Sequence, residues 1–308
     1  MILRRLAFLV LGALFVEGAR ADLIGQNRDV DATFLLSAGD RQLPAHGALL
    51  SGVRAAAADS GEWLATPIRI VDVSVRGAGG AVQAGALRAA LADGADGLIM
   101  RVPADFPWRS FDAVFRAMDL PIVLTGEPAG SGAGGAPDGA LHIGDAVFER
   151  ALAEHFAGDS AEERVVVVGA AGHAWTRWLI AAAEAAGRTV VFVGAGEALP
   201  DSPGEVWWVD PPLSEAPHLR GRSGKAGTTR VFVVACHPGW ISGLREGRID
   251  QLWQPSPFDW GYASVVRLRA TQGDTRLGEI APDSAPVRFS RATGDLTMLE
   301  ALWARWLQ

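Results

Sequence analysis

Three polar side chains stand where this chain could grip a small molecule. Arg177 falls just inside a helical run, one turn past Gly169-Ala170-Ala171-Gly172. A guanidinium there can fork onto hydroxyl, carboxylate or phosphate oxygens, although the position also suits a surface arginine on an amphipathic helix. Asp210 ends the apolar run Val206-Trp207-Trp208-Val209. It can accept from hydroxyl or amine groups, or simply form a turn before Pro211-Pro212. His237 closes the run that begins at Val231 and is either a ligand contact or a turn histidine. Its neighbour Cys236 points to the opposite face of the strand, so the two make no nucleophilic dyad, and Cys236 reads as a small buried hydrophobe. The six histidines fall at no metal-ligand spacing, and no metal or cofactor is expected.

Gly-rich turns at 77–80 and 169–172 follow strands and precede helices, where helix N-termini can hold an anion. Neither matches a dinucleotide fingerprint or a P-loop, and tight βα turns account for them. No nucleophile elbow or paired-carboxylate motif is present, so no catalytic residue is assigned and the chain reads as a non-enzyme. Among eleven tryptophans, Trp63, Trp108, Trp175, Trp240 and Trp260 lie near loops, where an indole can stack on a ligand. One or two are expected to line a cleft and the rest to pack.

Alternating strand and helix signals must position these groups. Strands are expected at 31–38, 68–75, 97–102 and 121–125, with helices at 44–60, 81–92 and 108–118. A low-complexity loop spans 130–139, and the pattern then restarts after Leu141-His142-Ile143. Asp145 caps a helix to 157; strands follow at 164–168, 189–193, 206–209 and 230–235, with a helix at 173–186. Residues 211–229 show no helical face and read as a long loop. Leu296, Leu299, Trp303 and Trp306 recur at helical spacing and are expected to dock on the body. Short apolar runs without alternation are the mark of parallel strands buried on both faces, so the chain reads as two similar open α/β halves.

At 308 residues the chain can bury full cores, and its single cysteine excludes an internal disulfide. A formal charge of −7 with no Lys/Arg block argues against nucleic acid or an anionic membrane surface as partner. Arg4-Arg5, the apolar run 6–16 and Ala19-Arg20-Ala21 read as a secretory signal, and export with cleavage after Ala21 is expected.

An ordered set of short matches then resembles the type 1 periplasmic solute-binding proteins, specifically the ribose/galactose-like sugar binders. It comprises Leu43-Pro44 with Gly52-Val53, Gly94-Ala95-Asp96-Gly97-Leu98-Ile99 with Pro103, and Pro121-Ile122-Val123. His142-Ile143-Gly144-Asp145, the 169–172 turn with Arg177, and Gly247-Arg248-Ile249-Asp250 with residues 257–262 complete it. The resemblance implies an α/β fold of two Rossmann-like lobes with parallel sheets, joined by a three-crossing hinge. It places the signal at 1–21, the N-terminal lobe at 22–143 plus 254–281, and the C-terminal lobe at 144–253 plus 282–308. It puts Gln42, His46, Glu127, Arg177, Asp210, His237 and Gln254 at the ligand site. His237 stands where such sugar binders have Asp, and Pro255 where they have Gln. The implied role is a monomer that closes over a small polar ligand, sugar or sugar-like, and delivers it to an ABC-type permease. A sensory binding subunit for a membrane receptor or sensor kinase, and an exported α/β enzyme, are the alternatives.

Overall fold

The computed structural model describes residues 30–39, 41–76, 79–101, 106–126, 139–158, 164–171, 173–194, 196–200, 204–222, 229–280 and 284–307. The signal-sequence reading of residues 1–21, Glu127, and residues 130–138 of the Gly-rich loop lie outside these stretches.

In the first half, β1 (Ala32–Ser37) leads through α1 (Pro44–Trp63), β2 (Ile68–Asp72), α2 (Gly80–Leu91), β3 (Gly97–Met100), α3 (Trp108–Met118) and β4 (Ile122–Thr125) to β5 (Leu141–Ile143). The strands pair in the order β2-β1-β3-β4-β5, all parallel. β3 and β4 are buried at every residue, which is why their sequences are unbroken apolar runs. β2 stops at Asp72, short of the expected end. There Asp72 Oδ1 accepts from the Ser74 N–H at 3.0 Å and turns the backbone.

The second half begins with α4 (Ala146–Gly158), β6 (Arg164–Gly169), α5 (Ala174–Ala185), β7 (Thr189–Gly194) and β8 (Glu205–Val209). It continues through α6 (Leu219–Arg222), β9 (Arg230–Val234), α7 (Trp240–Arg245) and β10 (Gln251–Trp253). α8 (Pro257–Thr271) then returns to pack on α1 and on β3, β4 and β5, before β11 (Arg288–Phe289) and α9 (Thr293–Trp306). The second sheet runs β11-β10-β9-β8-β6-β7, with only the β10–β11 pair antiparallel. The expected long loop at 211–229 instead holds a 3₁₀ turn, Leu213–Glu215, and the four-residue α6, anchored by buried Leu219. Elements this short carry no periodicity to read, and the same holds for β5 and β11.

Aromatic packing fills the second core: Trp207 stacks on Phe232 with centroids 4.5 Å apart. Buried Glu205 at the start of β8 survives there because it is fully paired, to Arg230 at 2.6 Å, His155 at 3.3 Å and Trp207 Nε1 at 2.9 Å. α1 and α8 cross unusually closely. A Cβ on Gly52 would lie 2.0 Å from the Phe258 carbonyl oxygen, and one on Gly261 2.2 Å from that of Leu49. Only glycine fits either position.

Three chain crossings join the lobes, and two carboxylates, one buried and one half-buried, tie them together. Asp145, 5% exposed, caps α4 by accepting from the Phe148 N–H at 2.8 Å. Its other oxygen accepts from Ser256 N and Trp260 Nε1, each at 3.2 Å, which fastens the β5–α4 crossing to the β10–α8 crossing. Burial pushes the Asp145 carboxyl above its usual range, and those N–H donors pull it part of the way back. Asp259 accepts from the Ala285 N–H at 3.0 Å and so fastens α8 to the third crossing; burial pushes its pKa up to about 6. The terminal stripe docks as expected. Trp303 Nε1 donates to Gln254 Oε1 at 3.0 Å, Trp306 stacks on Phe258, and the Ser51 hydroxyl donates to the Trp306 carbonyl at 2.6 Å.

Candidate functional site

The carboxyl ends of the two sheets meet at Trp260, in the first turn of α8. On the first-lobe side, Gly126 follows β4 with φ +75°, and a Cβ there would press on the indole at 3.1 Å. Arg101 follows β3 and holds its guanidinium 5.9 Å from the indole centroid. Its backbone is fixed by Gln83, a wholly buried amide from α2 that donates to the Ser37 carbonyl at 3.0 Å and the Arg101 carbonyl at 3.3 Å. From the second lobe, Trp175 comes to 6.4 Å of Trp260, and the Cys236 thiol donates to the Pro255 carbonyl at 3.1 Å. Burial pushes that thiol well above its usual range.

Around this contact the second lobe offers four polar side chains. His173 is the N-cap of α5, and its Nδ1 accepts from the Trp175 N–H at 3.2 Å. Burial lowers the imidazole's pKa; Asp210 pulls it up, and Arg101 and Arg177 push it down, which places all four groups within electrostatic reach. Asp210 sits at φ +47°, a left-handed position that Asp tolerates better than most residues, and its N–H continues the ladder to the Val234 carbonyl at 2.8 Å. His237 Nδ1 accepts from the Gly239 N–H at 2.9 Å; burial lowers its pKa, against the pull of Asp210. Each imidazole therefore spends Nδ1 as an acceptor and carries its proton on Nε2.

Of the residues singled out in the sequence, Arg177, Asp210 and His237 are thus brought together. Gln42 lies exposed on the rim of the first lobe. His46 is buried, with Nε2 3.2 Å from Asp72 Oδ2, in a cluster that also holds Arg41 at 3.2 Å from the same oxygen. Burial pushes the Asp72 carboxyl up, but hydrogen bonds from His46 and Ser74 outweigh it and leave the pKa below its ordinary value. Gln254 is 1% exposed and bonded to Trp303 on the C-terminal helix, so it does not join the group at Trp260. Trp63 is exposed, Trp108 packs edge-on to Phe106 in the first core, and Trp240 is buried in the second. Arg101 and His173 were missed. Arg101 directly follows an all-apolar strand, the same signal that marked Asp210 and His237.

A separate concavity of about 520 Å³ opens at the amino end of the first sheet, lined by Asp31, Thr66, Arg269, Gln272, Asp274 and Arg276. Its charges are already paired: Arg269 with Asp31 at 2.6 Å and with Asp274 at 3.0 Å, and Arg276 with Asp274 at 2.8 Å.

These observations define a two-lobed α/β clamshell with polar strand ends facing one another across the junction. No protein-family model matches the sequence, and a search of curated proteins finds no match. Solved structures do match. A periplasmic ribose ABC transporter protein from Conexibacter woesei superposes with a TM-score of 0.63 at 17% identity, covering 92% of this chain and 100% of that one. A carbohydrate transporter protein from Acidothermus cellulolyticus, in complex with myo-inositol, gives 0.60 at 14% identity, covering 90% and 99%. A putative LacI transcriptional regulator from Bacteroides fragilis gives 0.56 at 11% identity, covering 85% and 97%. The fold is that of the type 1 periplasmic binding proteins.

Proposed function

We propose that this chain is an exported solute-binding protein that closes two lobes over a small polar ligand and hands it to an ABC-type importer. The lobes are 22–143 plus 254–281 and 144–253 plus 282–308, and the protein works as a monomer in the periplasm without catalysis. The observation that carries the reading is Arg101 and His173 beside the Trp260–Trp175 contact, with Arg177 and Asp210 within electrostatic reach of His173 and His237 within reach of Asp210. Open α/β sheets bind ligands outside the carboxyl ends of their strands, and a closed clamshell is stabilised by contacts that exist only when both lobes touch the ligand. Solute-binding neighbours on the same fold support it. Gln42 on the first lobe, and Glu127 after β4 in sequence, are proposed as further contacts.

A thermal-shift screen over sugars, polyols, amines, carboxylates and nucleosides tests the reading. A ligand at a hundredfold excess over its Kd adds about 2.7 kcal/mol to stability. Failure of every class, together with turnover of any substrate, would rule the reading out.

A further inference from the structure

The side chains gathered at Trp260 are unbalanced in hydrogen-bond character. Arg101 and Arg177 are donors only. His173 and His237 each have Nδ1 occupied by a backbone N–H, which leaves each ring an Nε2–H donor. Asp210 alone among these five side chains accepts. A neutral sugar suits such a set poorly, because each hydroxyl brings a proton that needs an acceptor. A carboxylate or phosphate brings only acceptors, and matches charged donors with bonds roughly twice as strong as neutral ones.

The charges point the same way. Arg101 is half-buried against an indole face and has no ion pair among the described residues. A guanidinium partly withdrawn from water is costly unless an anion joins it. Asp210 directly follows β8 on the second lobe, within electrostatic reach of both imidazoles.

Resting on the solute-binding reading, we propose that the ligand is an anion. It is a polyhydroxylated small molecule that sets a carboxylate or phosphate between Arg101 of the first lobe and the His173–Arg177 turn of the second. Asp210 then takes protons from its hydroxyl groups. Bridging two cationic sites on opposite lobes, the anionic group itself draws them together.

Matched pairs test this. Glucuronate, gluconate, galacturonate and galactonate form the carboxylate arm, glucose 6-phosphate the phosphate arm, and glucose, galactose and sorbitol the neutral arm, read by thermal shift and titration calorimetry. At least one anionic probe should raise the melting temperature where its neutral counterpart at equal concentration does not. Which anionic arm responds separates the two sources of charge. Arg101→Gln should weaken the responding probe tenfold or more, the scale of a charged hydrogen bond. Arg101→Lys should keep the preference for the anion, and both variants should melt no lower than wild type without ligand. A neutral sugar binding as tightly as its acid, unchanged affinity in Arg101→Gln, or silence throughout the anionic arms would each overturn the proposal. Response confined to the neutral arm overturns the anion proposal and leaves the solute-binding reading standing; silence in every arm overturns the anion proposal, and the wider screen with its turnover assay decides the reading beneath it.

Discussion

Replacing Gly261 by alanine adds one methyl group to the close crossing of α1 and α8. Its Cβ would sit 2.2 Å from the Leu49 carbonyl oxygen and 2.9 Å from the Val53 nitrogen. Ordinary contact begins near 3.4 Å, so α8 must withdraw from α1 by more than 1 Å. Both obstacles are backbone atoms, which cannot swing aside as a side chain can. Alanine returns about 1 kcal/mol through helix propensity and a less flexible unfolded chain. Overpacking of a tight core costs about 1–3 kcal/mol, and the upper end applies where backbone is struck. A net loss of about 2 kcal/mol is expected, read as a melting temperature lower by several degrees. The shift also carries Trp260, one residue away, off the Asp145 carboxylate, whose 3.2 Å bond has little room to stretch. Ligand-induced stabilisation should therefore fall along with stability. Gly85→Ala is the control: it lies in α2 with nothing within 4 Å of the added methyl, and should melt at or above wild type. A Gly261→Ala protein as stable as the control would refute the close-packing argument.

Asp259 has a folded pKa of about 6 against an ordinary 3.8, so the folded state binds its proton more tightly than the unfolded state does. Its contribution to stability is fully present below about pH 4 and is lost as pH rises through 6, roughly 2–3 kcal/mol in all. Asp259→Asn keeps an acceptor for the Ala285 N–H, and should melt higher than wild type at pH 7.5 but not at pH 4. Parallel melting curves over that range would contradict the assignment. Asp145→Ala strands three N–H groups at the crossings and should cost about 3 kcal/mol, measured by denaturant unfolding. Arg177→Ala and Asp210→Ala, both exposed, should abolish ligand-induced thermal stabilisation; the unliganded melting point should stay nearly unchanged in the first and fall slightly in the second, whose φ of +47° suits alanine less well than Asp, and full ligand response in both would sink the site.

The scaffold was legible because its evidence is collective. Runs such as Val165–Val168 and Val231–Val234 admit one reading, and the caps and turns between them repeat it. The site was half legible. Asp210 and His237 each follow an apolar strand and announce a carboxyl-end position. Arg101 does the same once β3 ends at Met100, but the strand expected at 97–102 ran past it. His173 gave no sign, since its role depends on a rotamer in which Nδ1 caps its own helix. Gln254 misled because spacing alone cannot tell which side of a crossing a side chain faces; the partner that claims it, Trp303, lies 49 residues on. The ties through Asp145 were out of reach for the same reason, joining residues 111 and 115 positions apart.

The chain's one cysteine lies where the lobes join. Any thiol-directed dye or spin label will therefore land at a single, known address, with no mutagenesis needed to clear competing sites. Reaching it requires the Pro255 carbonyl to let go and solvent to reach a buried thiol, so the rate of labelling becomes a stopwatch for opening. The molecule carries its own reporter, set at the junction where movement between the lobes would first admit solvent.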